Sequence, residues 1–128
     1  MNIIGHGIDV VEIEFIKSQI EATNKDWLGS VYSLREQREA SGPPLDIRYL
    51  AGRFAGKEAV AKALGTGFSK NITWRGIEIL RKNSGQPYVE VTGEVLVFSE
   101  TLGIVDWQIS ITYSESLAFA SAIALTAN

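Results

Sequence analysis

Gly52-Arg53-Phe54-Ala55-Gly56-Lys57-Glu58-Ala59-Val60-Ala61-Lys62-Ala63-Leu64-Gly65-Thr66-Gly67 reads as a helix with a Gly-Thr-Gly exit. Arg53 and Lys57 are four residues apart, as are Glu58 and Lys62, so each pair shares a helix face. Ala55, Ala59, Ala61 and Ala63 keep the surroundings slim, leaving room for another backbone or a ligand. One carboxylate, Glu58, sits among the cations Arg53, Lys57 and Lys62. A carboxylate suits a hard metal ion, a lysine suits a phosphate, and the glycine-rich exit offers free backbone N–H groups. The combination points to a phosphorylated substrate. Helix ion pairs at this spacing are worth only about 0.3–0.5 kcal/mol each. Taken alone, the segment is therefore a solvated charged face before it is a site.

A second element changes that balance. His6-Gly7-Ile8-Asp9-Val10-Val11-Glu12-Ile13 reads as a buried strand that delivers Asp9 between apolar neighbours. A buried acid needs a partner, either a metal ion or a basic residue. His6, the only histidine, lies between Gly5 and Gly7 and reads as a packed or solvent-facing side chain rather than a general base.

Working outward, residues 2–11 form a strand and 12–20 a short helix with Ile13, Ile16 and Ile20 on one stripe. Residues 25–40 hold one or two short helices, with Ser33 an N-cap before Leu34-Arg35-Glu36. Ser41-Gly42-Pro43-Pro44 ends this region, and Asp46 caps the long helix that runs to about Leu64. Residues 72–81 and 87–92 pair as a hairpin around Asn83-Ser84-Gly85. A helix over 93–102 and strands over 105–113 and 117–126 complete the chain. The expected fold is α+β, a mostly antiparallel sheet packed on one long central helix. The last strand, Leu117 to Leu125, is almost wholly apolar; a monomer would struggle to cover both faces, which points to an oligomer interface. Trp74, Trp107, Phe54 and Tyr88 read as core or interface residues.

The 128 residues make one domain, 1–128, of ordinary soluble composition, 45% hydrophobic and 21% charged. The net charge of −3 argues against a nucleic-acid binder. No apolar run approaches the roughly 18 residues of a membrane span. The N-terminus lacks the basic and apolar regions of a signal peptide, and the absence of cysteine fits a reducing cytosol. The expected location is cytoplasmic.

Gly7-Ile8-Asp9, Val11-Glu12-Ile13 and the run from Arg53 to Gly67 together resemble the holo-acyl-carrier-protein synthase family. These are short, trimeric 4′-phosphopantetheinyl transferases. Ile72-Thr73-Trp74 with Ile77-Glu78-Ile79 is similar to the family's strand after the helix. Ser84-Gly85-Gln86-Pro87-Tyr88-Val89 is similar to its Gly-x-Pro hairpin, and Trp107-Gln108-Ile109-Ser110-Ile111 to its penultimate strand. Each motif is weak alone, but five in order, spanning residue 3 to about 125, are not.

The resemblance implies transfer of 4′-phosphopantetheine from coenzyme A to a serine of apo acyl carrier protein, with release of 3′,5′-ADP, as in fatty-acid biosynthesis. It implies Mg²⁺ held by Asp9 and Glu58, and Lys62 stabilising charge on the transferred phosphate. The serine proton goes to Glu58 or to a metal-bound water. Gly65 and Thr66 match positions near the cofactor, Arg53 a position near its nucleotide end, and Pro87 a hairpin close to it. Lys57 matches either the site or the surface. The resemblance also implies a homotrimer with sites at subunit interfaces.

Two positions depart from the family. Tyr113 stands where the family has a histidine near the cofactor's phosphates, and tyrosine brings a hydrogen bond but no positive charge. Phe15 stands where the family carries a basic residue on the helix that docks the acidic carrier. They leave an alternative open: a catalytically weak or inactive relative that binds coenzyme A or another phosphorylated ligand as an assembly protein.

Overall fold

Helix α4, Ile47–Ala63, is buried on nearly every side. From Tyr49 to Ala63 only Phe54, Glu58 and Lys62 escape full burial, and they form one i, i+4, i+8 stripe. The helix starts where expected: the Asp46 carboxylate accepts a hydrogen bond from the Tyr49 N–H at 3.0 Å. It ends at a left-handed glycine, Gly65, with φ of +83°. The Gly67 N–H then closes back on the Ala61 carbonyl at 3.2 Å. The structure, a computed structural model, describes residues 1–128.

Against α4 lies a three-stranded antiparallel sheet of order β1-β5-β4, where β1 is Asn2–Glu12, β4 Ile104–Tyr113 and β5 Leu117–Thr126. In β5, Ala118, Ala120, Ala122 and Ala124 are buried, whereas Leu117, Phe119, Ser121, Ile123 and Leu125 are half-buried on the other face. The closest approach is between β1 and α4. A Cβ on Gly5 would fall 2.0 Å from the Ala63 carbonyl oxygen, and one on Gly7 would fall 1.9 Å from that of Ala59. Only glycine admits a strand this near a helix backbone, so the slim alanine surface of α4 serves a neighbouring backbone. Strand alternation turns Asp9 inward after Gly5 and Gly7, and turns Ile8 and Val10 outward. Those two expected burying neighbours are instead 65% and 52% exposed.

Helices α1 (Ile13–Ala22), α2 (Asp26–Val31) and α3 (Leu34–Glu39) follow β1. Ser33 caps α3 in a reciprocal capping box with Glu36. Strands β2 (Ile77–Arg81) and β3 (Pro87–Val91) form the hairpin, with Gly85 at φ +92° in its turn, and α5 (Gly93–Thr101) leads into β4. The strand expected from residue 72 begins only at Ile77. Residues 73–76 form a turn in which the Thr73 hydroxyl accepts from the Gly76 N–H at 3.2 Å. The Trp74 carbonyl accepts from the Ile77 N–H at 3.3 Å and from the Lys57 amine at 2.9 Å, so it closes the turn rather than extending the strand. No helix is long and apolar enough to cross a membrane.

Candidate active site

The close β1–α4 contact sets Asp9 against the exposed stripe of α4. Lys62 Nζ lies 3.1 Å from Asp9 Oδ1 and donates a second hydrogen bond to the Ile8 carbonyl at 3.0 Å. Glu58 sits one turn before Lys62. Burial pushes the Glu58 carboxyl above its usual range, the Asp9 charge pushes it further, and Lys62 offsets part of this. Two carboxylates therefore crowd one ammonium, which leaves an excess negative charge that a cation would relieve. No group of three or more His, Asp or Glu side chains is placed to hold a metal ion unaided. Two carboxylates completed by water and phosphate oxygens are the donor set Mg²⁺ accepts, so the residues present fit that ion. A depression of about 320 Å³ opens here, lined by Ile8, Asp9, Val10, Lys62 and Phe119.

The exit of α4 adjoins this cluster. Gly65 and Gly67 hold φ of +83° and +63°, and a Cβ on either would meet nothing within 4 Å. Both are thus required by backbone conformation, with open space above them. Thr66 is exposed, its hydroxyl donating to the Gly67 carbonyl at 2.8 Å.

Arg53 and Tyr113 come together elsewhere, in a pocket of about 290 Å³ that also takes in Arg48, Arg81 and Gly85. Arg53 lies five residues before Glu58, which turns it about 140° round the helix, away from the carboxylates. Its guanidinium stacks 3.8 Å over the Tyr49 ring, and its buried Nε has no hydrogen-bond partner. Arg48 stacks 4.6 Å over the Tyr113 ring. That ring reaches α4 only because residue 52 is glycine; a Cβ there would lie 2.2 Å from the Tyr113 hydroxyl. Three guanidiniums against the single carboxylate of Asp46 make this an anion pocket. Arg48 and Arg81 did not announce themselves in the sequence, because only the fold brings the start of α4 and the end of β2 to Arg53. Pro87 pairs with Arg81 across the hairpin but opens on a separate groove of about 200 Å³ between the hairpin and β4.

Lys57, placed above at the cofactor or the surface, is at neither. Lys57 and Glu36 side chains are both 0% exposed, with Nζ 2.7 Å from Glu36 Oε1. The amine also donates to the carbonyls of Trp74 and Ile77. Three acceptors saturate its three donors, so Lys57 has no hydrogen left for a ligand. His6 is exposed, with Nε2 3.1 Å from the Ser121 hydroxyl, away from Glu58.

Residues 5–120 match the 4′-phosphopantetheinyl transferase superfamily. The chain belongs to that family. It is 40% identical over 121 residues to a holo-[acyl-carrier-protein] synthase of Natranaerobius thermophilus, an alignment covering 94% of this chain and 96% of that protein. The fold is similar to the crystal structure of holo-[acyl-carrier-protein] synthase from Neisseria meningitidis, with a TM-score of 0.89, 29% identity, and coverage of 98% of this chain and 100% of that one. It is also similar to the Helicobacter pylori synthase in complex with coenzyme A, with a TM-score of 0.83, 25% identity, and coverage of 94% and 99%.

Proposed function

We propose that this chain is a Mg²⁺-dependent holo-acyl-carrier-protein synthase, transferring 4′-phosphopantetheine from coenzyme A to a serine of apo acyl carrier protein and releasing 3′,5′-ADP. The observation that carries the reading is the Asp9–Glu58–Lys62 cluster, a carboxylate and an ammonium on the one open stripe of an otherwise buried helix with a second carboxylate set against them from β1. Phosphoryl transfer asks for charge neutralisation, an aligned nucleophile and a proton acceptor. Asp9 and Glu58 are the residues that would hold Mg²⁺, which supplies neutralisation of the pyrophosphate when bound. Lys62 adds a positive charge for the transferred phosphate. Glu58, its carboxyl already raised by burial, is suited to accept the serine proton directly or through a water.

The nucleotide end of coenzyme A belongs in the arginine pocket. Arg53 and Arg81 line it, and Arg48 supplies the charge that Tyr113 lacks. On a single chain this pocket and the carboxylates face different ways. The outward apolar residues Ile8, Val10 and Phe119 border the same depression as Asp9 and Lys62. A homotrimer burying that face would wall the carboxylate site and set one subunit's arginine pocket beside the next subunit's carboxylates. We assign Gly65, Thr66 and Pro87 to the rim of that joint site, and the reaction to the cytoplasm, in fatty-acid biosynthesis. A protein that only bound coenzyme A would have little use for a second carboxylate beside Asp9.

Turnover tests the reading. Apo carrier, coenzyme A and Mg²⁺ should yield 3′,5′-ADP in step with the protein's concentration, and none when Mg²⁺ is chelated. Absence of 3′,5′-ADP with every apo carrier tried would overturn it.

A further inference from the structure

Two tyrosine rings hold all three guanidiniums of the arginine pocket. Arg53 lies 3.8 Å and Arg81 5.0 Å from the Tyr49 ring centre, and Arg48 lies 4.6 Å from that of Tyr113. None of the three enters an ion pair; those of the chain are made by Arg35, Lys57 and Lys62. The carboxylates beside them engage Tyr49 instead. Asp46 accepts its backbone N–H at 3.0 Å, and Glu39 accepts its hydroxyl. Burial, then the bond to Glu39, push that hydroxyl above its ordinary value, so it remains a donor. An arginine forked onto a carboxylate has its N–H edge occupied, whereas one stacked on a ring keeps that edge free in its own plane.

The two rings do different work. Tyr49 and Arg53 are buried, so packing fixes that half of the pocket. Arg48 is exposed, with neither burial nor an ion pair to fix it, and its hold is the Tyr113 ring. Gly52 seats that ring. It stands one turn after Arg48 on the same face of α4. A Cβ at residue 52 would fall 2.2 Å from the Tyr113 hydroxyl oxygen, 2.9 Å from the ring carbon that bears it and 3.0 Å from an Ile111 methyl. All three are side-chain atoms, and the nearest is the far end of Tyr113. An alanine there displaces the ring and leaves the helix standing.

We propose that Tyr113 is a positioning residue for Arg48. Seated on Gly52, its ring holds the guanidinium with the N–H edge open to the pocket. It thereby sets the affinity for the phosphorylated nucleotide end of coenzyme A without taking part in transfer. This rests on the assignment of that end to the arginine pocket, and goes beyond it in giving the role to the ring and not to the hydroxyl.

Coenzyme A binding is read by calorimetry in the presence of Mg²⁺, and KM and kcat by turnover. Tyr113→Phe keeps the ring and should bind within about twofold of the parent. Tyr113→Leu should weaken binding about three- to fivefold, the scale of one exposed cation–π contact, with KM rising in step and kcat unchanged. Gly52→Ala should weaken it as much while melting no lower than the parent, since alanine favours the helix as it displaces the ring. Arg48→Ala should cost about tenfold or more, the scale of a hydrogen bond to a charged group. Tyr113→Leu added to Arg48→Ala should cost nothing further. Tyr113→Phe as impaired as Tyr113→Leu would place the hydroxyl on the ligand and overturn the proposal. So would a Tyr113→Leu loss that persists undiminished beside Arg48→Ala. Binding that falls with Arg48→Ala but ignores both Tyr113→Leu and Gly52→Ala would overturn it while leaving the pocket assignment standing. A parent that binds no coenzyme A, or binding indifferent to Arg48→Ala, would remove the nucleotide end from the pocket and the proposal with it. Calorimetry needs no carrier, so a failure of transfer leaves the comparison intact.

Discussion

Lys62 and Asp9 lock the long helix to the first strand, Nζ to Oδ1 at 3.1 Å, with a second bond from the same amine to the Ile8 carbonyl. The pair is both a structural tie and half of the proposed site. Its position follows from two glycines that let β1 lie directly on α4.

Gly7→Ala should therefore damage structure and activity together. The new Cβ would lie 1.9 Å from the Ala59 carbonyl oxygen, backbone that cannot step aside. Overpacking of this kind costs about 1–3 kcal/mol. Chemical denaturation should read that loss, and turnover should fall further still as Asp9 moves from Lys62. A variant as stable as the parent would contradict the packing account.

Glu58→Gln should leave the fold intact. Burial and the Asp9 charge both disfavour the ionised carboxylate, so a neutral isostere relieves repulsion. The melting temperature should hold or rise slightly, while kcat falls about 10²–10⁴-fold, the range for loss of a proton acceptor. Activity within twofold of the parent would remove Glu58 from the site.

Lys57→Met should be strongly destabilising although it touches no ligand. It would leave Glu36 charged and uncompensated in the core, a loss of about 3–5 kcal/mol. Adding Glu36→Met should recover only part of this. Glu36 also accepts the N–H groups of Ser33 at 2.9 Å and Ile79 at 2.8 Å, which the double variant would strand. A change below about 1 kcal/mol in urea melts would contradict the buried pair.

Stability should fall in acid through Glu78. Burial pushes its carboxyl up, but hydrogen bonds from Arg35 and Ser33, with the charges of Arg35 and Lys57, outweigh that and set it below the usual 4.5. Ser33 donates at 2.6 Å and Arg35 donates twice, at 2.6 and 3.2 Å. A depressed folded-state value means the stabilisation is fully present above the unfolded value and is lost as pH drops through the folded one. Thermal melts taken downward from neutral pH should show this loss below about 4.5, and Glu78→Gln should flatten the slope. An unchanged slope in that variant would assign the acid sensitivity elsewhere.

Much of the architecture was legible in local signals. Ser33 and Asp46 both cap the helices they precede, and the turn glycine Gly85 and the two final strands fall where their patterns put them. Lys57 was not legible. Four-residue spacing from Arg53 says the two share a face, but not that the face is buried, and its partner Glu36 is distant in sequence and resembles any capping-box acid. The start of β2 was misplaced for a related reason: the Trp74 carbonyl is taken by the turn's Ile77 N–H and by the distant Lys57 amine. The Asp9–Lys62 meeting was half legible. A lone acid in an apolar strand asks for a partner, but which cation answers depends on the packing of Gly5 and Gly7 against α4. The Arg48–Arg53–Arg81 pocket is assembled by the fold alone.

The most direct test of metal-dependent transfer at Asp9 and Glu58 is the intact mass of an apo acyl carrier protein after incubation with this protein, coenzyme A and Mg²⁺. The carrier should gain one phosphopantetheinyl group, and the gain should vanish with EDTA or with Glu58→Gln. A carrier mass that stays unchanged with the parent protein, across several carriers and with coenzyme A still bound, would contradict it.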